Sequence, residues 1–311
     1  MRPFRRRYPS MESLRATRPA AAVRAHLLFA LLLVPGAARG QSPAPAPYSL
    51  PWNLRPVTAA TVVRFDETLA TFEDTVTGIS GSTWVTSVIA SRRLTPHLAP
   101  LVRITWVVND PPGTLPSGNA FSNPLLGATW AQTKGAWRGS GFLAATIPVG
   151  QGGGASPDAG AAAAVSRGIP ARSGMDNALF AVNFATVVAG AGLARVDRRM
   201  TAQAEATVLR LTRVRGPATE DAARTNLTVG LHLGHFIGPR VSVGGELRYQ
   251  RWLTDAAPVR NDPSARQTAT VGLGARFHLR LGEQRWLRPG LSYSRALDDP
   301  LKRQSYDMVQ L

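Results

Sequence analysis

The chain has 311 residues, no cysteine and a formal net charge of +17. The lack of cysteine excludes a disulfide framework and lipid attachment at a cysteine. The arginines are spread along the chain instead of clustering on one helix, which argues against a nucleic-acid-binding protein despite the basic balance.

The first 40 residues have the three parts of a secretory signal peptide. Residues 1–26 carry seven arginines against the single acid Glu12, residues 27–34 are apolar, and small residues lead to Gly40. The apolar core is shorter than the roughly 20 residues that a membrane-spanning helix needs, so an N-terminal anchor is the weaker alternative. We therefore predict a signal peptide over residues 1–40. Its removal leaves 28 basic and 18 acidic residues, an excess that favours anionic lipid headgroups or anionic solutes as partners.

The next 20 residues form a proline-rich stretch, which we predict to be a periplasmic leader over residues 41–60. Prolines at positions 43, 45, 47, 51 and 56 favour extended, polyproline-like backbone and exclude the centre of a sheet. Two placements remain open for this leader. Trp52 and Leu54 tuck into the mouth of the following domain, or the whole stretch is a loose periplasmic tail.

Twelve segments between Thr61 and Leu311 alternate in the manner of β-strands. In residues 241–252, for example, valine, leucine and tyrosine side chains share one face, while serine, glutamate, arginine and glutamine share the other. No helix-period segment of any length and no run of 18 apolar residues follows Thr61. The predicted strands are residues 62–72, 83–93, 99–109, 124–132, 139–149, 186–196, 201–212, 226–235, 241–252, 268–281, 286–297 and 305–311.

The connections between these strands alternate between long and short, which is typical of an antiparallel barrel in a bacterial outer membrane. The short turns are residues 94–98, 133–138, 197–199, 237–240 and 282–285. The long loops are residues 73–82, 110–122, 150–175, 213–224, 254–265 and 298–304.

Strand length and polarity predict which face meets the membrane. Several strands have 10 to 14 residues, more than the five or six typical of a sandwich and enough for a tilted crossing of a bilayer. We therefore predict an all-β fold over residues 61–311: a closed, antiparallel, up-and-down transmembrane β-barrel of about twelve strands in the outer membrane. Its apolar face meets lipid and its polar face meets the lumen. A secreted soluble β-protein is the structural alternative.

Aromatic residues and the last strand refine this prediction. Trp137 and Trp286 lie near short turns and Trp252 near a long loop, so we expect them in the aromatic belts at the two membrane interfaces. The last strand, residues 305–311, is short for a crossing and ends on Leu311 instead of an aromatic residue. Either the chain is truncated by a few residues, which we favour, or the closing strand is unusually short.

The signal region, the twelve-strand rhythm and the segments NPLLGA (residues 123–128) and YDMVQL (residues 306–311) together resemble uncharacterised bacterial outer-membrane β-barrel proteins. The nearest likeness is to the porin-like and transporter-like group linked to hydrocarbon or phenol uptake. The resemblance covers most of the chain after the signal peptide. It implies the fold, the outer-membrane location and, less directly, a role in transport.

Chemical motifs are weak throughout the chain. The glycines that begin at Gly150 superficially match a phosphate-binding loop, but the Lys-Ser/Thr ending and a following helix are missing. We expect a flexible outer loop there, or one that folds inward and narrows the pore. His232 and His235 point to opposite faces of one strand, and Ser242 and His232 share the lumen without a catalytic motif. We therefore predict no metal, no cofactor and no enzymatic activity.

Charged residues on the polar faces are the best candidates for function. The predicted lumen-lining residues are Arg64, Asp66, Arg103, Glu205, Glu246, Arg248, Arg276, Arg280 and Arg288. Because twelve strands lie between a filled eight-stranded barrel and an open porin, and arginine exceeds acid, we predict a narrow channel or transporter for small polar, anionic or hydrophobic solutes. The alternative is a non-conducting structural or adhesive barrel whose inward charges only neutralise one another.

The remaining expectations concern partners and space. The predicted partners are outer-membrane lipids, lipopolysaccharide, small solutes and the barrel-assembly machinery, with no nucleic acid. Many inward positions are glycines, which indicates either open space or close packing across the lumen. The inward glycines are Gly230, Gly234, Gly244, Gly272, Gly274 and Gly290.

Overall fold

A computed structural model describes residues 48–113, 117–282 and 285–311. The predicted signal peptide lies outside the described residues. The strands are β1 (Val62–Glu73), β2 (Ser80–Ser91), β3 (Leu98–Asp110), β4 (Gly118–Phe121), β5 (Leu125–Lys134), β6 (Trp137–Thr146), β7 (Phe184–Asp197), β8 (Met200–Arg213), β9 (Ala223–Phe236), β10 (Val241–Trp252), β11 (Gln267–Phe277), β12 (Leu279–Arg280), β13 (Trp286–Leu287), β14 (Gly290–Ala296) and β15 (Asp307–Gln310).

These strands form one closed antiparallel barrel that is crossed twelve times, as predicted. β4 and β5 both pair with β3 and make one interrupted crossing. β11 continues into β12, and β13 continues into β14, so each of these pairs makes one crossing. The short turns gather at one end of the barrel and the long loops at the other. We call these the short-turn end and the long-loop end.

The barrel closes where its last strand meets its first. β15 pairs with β1 from Thr71–Asp307 to Thr68–Gln310, and with β14 from Arg295–Asp307 to Ser292–Gln310. Because β15 bonds to a neighbour on each side, the sheet has no free edge along this stretch. The closing strand is four residues long.

Burial alternates along the strands and places apolar side chains outside. On β11, Thr270 is fully buried while Leu273 is 69% exposed. A soluble sandwich would bury the apolar face, so this arrangement fits a wall that faces lipid. Other strongly exposed outward side chains are Leu143, Val187, Leu193, Leu231, Leu233, Leu291 and Tyr293. Within the described residues, none of the helices has the length and apolar composition needed to span a bilayer.

The tryptophans follow the same alternation, which corrects one expectation. Trp137 and Trp286 are about half exposed at the short-turn end, in line with an interfacial belt. Trp252 is buried, so its assignment to the outer belt was wrong. It lies on the same face of β10 as Arg248 and therefore points inward, where the Arg224 guanidinium lies 5.2 Å from its ring centroid.

An arginine in place of Leu273 should test the outward apolar wall. Leu273 lies at the middle of β11, and a guanidinium at the bilayer midplane costs about 2–4 kcal/mol of folding free energy. Leu281→Arg is the matched control, since Leu281 is similarly exposed but lies at a short turn, where the cost is about 0–1 kcal/mol. Urea titration of folding into lipid vesicles measures both. Equal costs for the two variants would contradict a wall buried in lipid.

The helices lie in the long loops. They are α1 (Ala159–Ala171), α2 (Asn177–Phe180), α3 (Ala257–Asn261) and a 3₁₀ turn (Pro263–Arg266). The Asp158 carboxylate caps α1 by accepting a 2.8 Å hydrogen bond from the backbone N–H of Ala161. The helix packs against β1 to β4, with Ala164 and Gly168 on its buried face. Residues 150–180 therefore fold inward, and we call them the inserted loop.

Candidate functional site

The lumen is occupied from the short-turn end by residues 48–57, which we call the leader segment. Trp52 and Leu54, the side chains expected at the barrel mouth, are 5% and 1% exposed. The backbone N–H of Ser49 donates to Thr201 Oγ1 at 3.0 Å, which fixes the start of the segment against β8. The leader segment is thus packed inside the wall.

Glycines of the wall receive the leader side chains. A Cβ atom built on Gly230 would lie 2.1 Å from Leu54 Cδ2, and one on Gly290 would lie 2.4 Å from Trp52 Cη2. Distances this short exclude any larger residue unless the leader shifts. The wall residues in such contact, which we call the glycine patch, are Gly192 against Val57, Gly230 against Leu54, Gly234 against Ser49, and Gly274 and Gly290 against Trp52.

The inward glycines therefore serve close packing, and their main partner is the leader segment. Gly230, Gly234, Gly274 and Gly290 belong to the glycine patch. The other two glycines noted in the sequence meet wall side chains: Gly244 lies against His232 and Gly272 against Ser294.

Two inward carboxylates hold the leader backbone. Glu246 accepts from the backbone N–H of Trp52, and its Oε2 accepts from the N–H of Asn53 at 3.1 Å. Glu205 accepts from the backbone N–H of Arg55 at 2.7 Å and from Arg55 Nη1 at 2.5 Å. Hydrogen bonds to charged groups stabilise by about 1.5–3 kcal/mol each, so these acids anchor the segment.

Two inward arginines and a tyrosine complete the contacts. Arg64 donates to the carbonyl of Trp52 and to Asp66 Oδ1, the latter at 2.6 Å. Arg276 donates to the carbonyl of Leu50 at 3.0 Å and lies 4.1 Å from the Trp52 ring centroid. Burial raises the pKa of the Tyr48 phenol, which stays protonated and donates to Gln203 Oε1 at 2.5 Å.

The inserted loop fills the lumen from the long-loop end, and an ion-pair cluster docks it. Asp176 accepts from Arg103 through both oxygens at 2.8 Å and from Arg172 Nε at 3.0 Å. Arg172 Nη1 also donates to Thr68 Oγ1 at 2.8 Å. Burial by itself favours the protonated carboxyl, but the two guanidinium groups hold the pKa of Asp176 well below its usual range.

A second contact lies near the start of the inserted loop. Arg167 donates to Gln304 Oε1 and to the Tyr306 hydroxyl, both at 3.0 Å. Its guanidinium lies 4.5 Å from the centroid of the Phe72 ring, which stacks on Tyr306. These contacts join the inserted loop to the first and last strands.

The predicted lumen-lining residues separate into three groups. Four contact the leader segment (Arg64, Glu205, Glu246 and Arg276), Asp66 supports Arg64, and Arg103 contacts the inserted loop. Arg248 is buried with no hydrogen bond to any described residue. Arg280 and Arg288 are exposed near the short-turn end. Their role in a solute path stays a prediction.

Sequence reasoning missed the partners that these residues hold. Arg172 and Asp176 are four residues apart in a glycine- and alanine-rich stretch, and this i, i+4 pair of opposite charges was a usable signal. Arg55 and Tyr48 lie in the proline-rich leader, where no periodicity marks a partner.

Little space remains beside the leader. A cavity lined by Arg55, Phe142, Glu205 and neighbouring wall residues has a volume of about 10 Å³, room for roughly one water molecule. The lumen is therefore closed at this level.

The histidines form no recognisable reaction centre. Ser242 Oγ lies 2.9 Å from Nε2 of His278, and the charged groups nearest this histidine are Arg276 and Arg288. A catalytic serine would need a carboxylate or similar group to orient its histidine. His232 instead faces Glu246, at 3.7 Å. Within the described ranges, no three His, Cys, Asp or Glu side chains are arranged to hold a metal.

Comparison with known proteins identifies the fold. No family model and no curated protein matches the chain. An outer membrane channel from Pseudomonas putida F1 matches with a TM-score of 0.50 and 10% identity, over 81% of this chain and 95% of that chain. The NanC porin has a TM-score of 0.48 and 6% identity, over 79% and 97%, and the KdgM porin has 0.45 and 8%, over 80% and 96%.

At such identities the likeness concerns the fold alone. The match to the Pseudomonas putida F1 channel agrees with twelve closed antiparallel crossings and an outward apolar surface. The chain is therefore a twelve-stranded transmembrane β-barrel of the bacterial outer-membrane type.

Proposed function

We propose that this protein is a narrow outer-membrane channel or transporter for small polar or anionic solutes, closed at rest by the leader segment and the inserted loop. The observation that carries the proposal is the way the lumen is filled. The wall offers glycines at the leader contacts, and the space they leave is taken by two segments that are not part of the wall.

The glycine patch favours a removable filling over a permanent one. Glycine inside a strand weakens it by roughly 0.5–1 kcal/mol relative to alanine, so five such positions are costly for a barrel that only needs to be solid. Wall side chains would fill the same space at lower cost. Once the leader leaves, the glycine patch presents no side chain to a passing solute.

The inward charges favour anions. Arg64, Arg103, Arg248 and Arg276 are opposed by Asp66, Glu205 and Glu246. Arg138 and Arg224 add to the basic side of the described wall. Basic residues bias a pore toward anions. The matching protein from Pseudomonas putida F1 is described as a channel, which is in line with passage of solutes.

Hydrophobic solutes are the second solute class, and a non-conducting structural or adhesive barrel is the second function. Ion pairs between outer loops favour the latter, since Arg260 binds Asp221 at 2.7 Å and Arg303 binds Asp262 at 2.9 Å, which stiffens the surface. Outer-membrane lipids, lipopolysaccharide and the assembly machinery are the partners expected under either function. We assign the protein no catalytic activity.

Planar-bilayer recording tests the proposal. The full-length chain after residue 40 is expected to give rare, brief current steps. A variant that releases both segments, Trp52→Ser with Leu54→Ser and Asp176→Asn, is expected to give sustained steps whose reversal potential in a salt gradient indicates anion preference. Silence of a folded, released variant would favour the non-conducting alternative. Cation-selective steps would contradict the anionic preference.

A further inference from the structure

Arg248 is the most deeply buried charged side chain without a hydrogen-bond partner in the described barrel. It is 2% exposed and lies at the middle of β10, facing the lumen between the leader segment and the inserted loop. Its Nε and Nη2 atoms are both buried, and no described residue accepts a hydrogen bond from either. Leaving buried guanidinium donors without an acceptor is unfavourable, so this side chain is poised for an acceptor from outside the chain.

The two free donors form one recognition edge. In a planar guanidinium the N–H of Nε and one N–H of Nη2 point in the same direction, and their spacing matches the two oxygens of a carboxylate or phosphate. A monatomic anion cannot accept along both directions with good geometry. The free edge therefore selects for an oxyanion with two acceptor oxygens.

The carboxylates closest to Arg248 are already engaged. Its charged neighbours are Glu246, Arg172 and Asp176. Glu246 accepts from the leader backbone, and Asp176 accepts from Arg103 and Arg172. Arg172 adds a second positive charge near the free edge.

A hydroxyl completes the donor set. Thr270 lies directly across from Arg248 in the β10–β11 register, and such neighbours have Cβ atoms about 4.5–5.5 Å apart. Its Oγ1 is buried and without a partner among the described residues. The hydroxyl is therefore available to donate to the same oxyanion.

We infer that Arg248 and Thr270, with the charge of Arg172, form a binding site for a small oxyanion of the carboxylate type inside the lumen. The Arg248 edge donates to two oxygens and the Thr270 hydroxyl donates to one of them. The inference names the solute class of the proposed channel and rests on that function only for the route by which the anion arrives.

Equilibrium dialysis of labelled acetate tests the site on the refolded full-length chain in detergent micelles, at fixed sodium chloride. We expect saturable binding of one acetate per barrel, with competition by benzoate and phosphate and little competition by added chloride. Arg248→Gln should weaken acetate binding about tenfold or more, since it removes both charge-assisted hydrogen bonds. Arg248→Lys keeps the charge but not the edge, and should lose the preference for acetate over chloride.

Arg210→Gln is the matched control, because it removes an exposed outward arginine from the same barrel and should leave acetate binding unchanged. If Arg248→Gln fails to fold, Thr270→Val and Arg248→Lys decide the result by the same measurement. Absence of saturable acetate binding, equal competition by chloride, or full binding in the folded Arg248 variants would overturn the inference.

Dialysis and bilayer recording fail independently. Acetate binding by a barrel that stays silent when both segments are released would support the site and reject the channel. Steady anion current without saturable acetate binding would support the channel and reject the site.

Discussion

Replacing Trp52 and Leu54 together by serine is expected to release the leader segment and open the short-turn half of the lumen. Both side chains are almost fully buried against the glycine patch, and burial of a large apolar side chain contributes about 1.5–3 kcal/mol. Loss of both should therefore weaken docking by about 3–6 kcal/mol. Because each 1.4 kcal/mol is a factor of ten, the ratio of released to docked leader rises about 100-fold or more.

A single introduced cysteine gives a clean measurement, because the chain has none of its own. Ser292 is buried on the lumen face, and its Cβ lies close to both Gly274 and Trp52 in the wall. Ser292→Cys should react slowly with a charged thiol reagent while the leader is docked, and about 100-fold faster in the Trp52→Ser, Leu54→Ser variant.

The matched control removes the same residue types from the outside of the same end. Trp286 and Leu287 are about half exposed and outward, so Trp286→Ser with Leu287→Ser should leave the labelling rate unchanged. A synthetic peptide of residues 48–57 should restore slow labelling in the released variant, and a peptide with both serines should not. Fast labelling of the original chain, or no effect of the leader variant, would show that the leader does not close the lumen.

The wall was predictable because its information is local. Each crossing alternates between lipid and lumen, so a period of two is written into residues such as Val241 to Trp252 without reference to distant parts of the chain. The observed strand β8 extends from Met200 to Arg213, where the pattern predicts residues 201–212. The same alternation assigns Trp252 to the inward face, and its placement in a belt ignored that pattern.

The filling of the lumen was less predictable because it depends on contacts between distant residues. The inward glycines show only that something passes close to the wall, and open space remained an equal interpretation. The answer lay about 150 to 240 residues earlier, in a proline-rich leader whose irregular sequence shows no alternation. Sequence reasoning therefore found the glycines but not what packs on them.

The inserted loop carried a local signal that compositional reasoning obscured. Residues 159–171 look like a flexible glycine and alanine loop, yet alanine is the strongest helix former and Asp158 is a good N-cap. Its inward docking depends on Asp176, whose arginine partner Arg103 lies 73 residues earlier on β3. A pairing of that kind has no signature in the sequence of either segment.

Asp176→Asn is expected to undock the inserted loop. The substitution leaves Arg103 and Arg172, both largely buried, without their shared carboxylate. Removing one partner of a buried ion pair costs about 3–5 kcal/mol, because the charge that remains is uncompensated. Trypsin added to the folded barrel should then cut after Arg172, which is 3% exposed in the docked loop. The cleavage rate should rise about 100-fold or more, since it follows the population of the open form.

Asp158→Asn is the control, because it changes the same residue type in the same loop but keeps the helix cap, for which asparagine and aspartate are equivalent. Its trypsin cleavage should match that of the original chain. Adding Arg103→Gln to Asp176→Asn removes one of the two uncompensated charges, so the double variant should recover part of the protection, and this non-additivity measures the ion-pair cluster directly. Unchanged protection in Asp176→Asn would mean that apolar packing of α1 alone holds the loop, and the channel would then need another way to open its long-loop half.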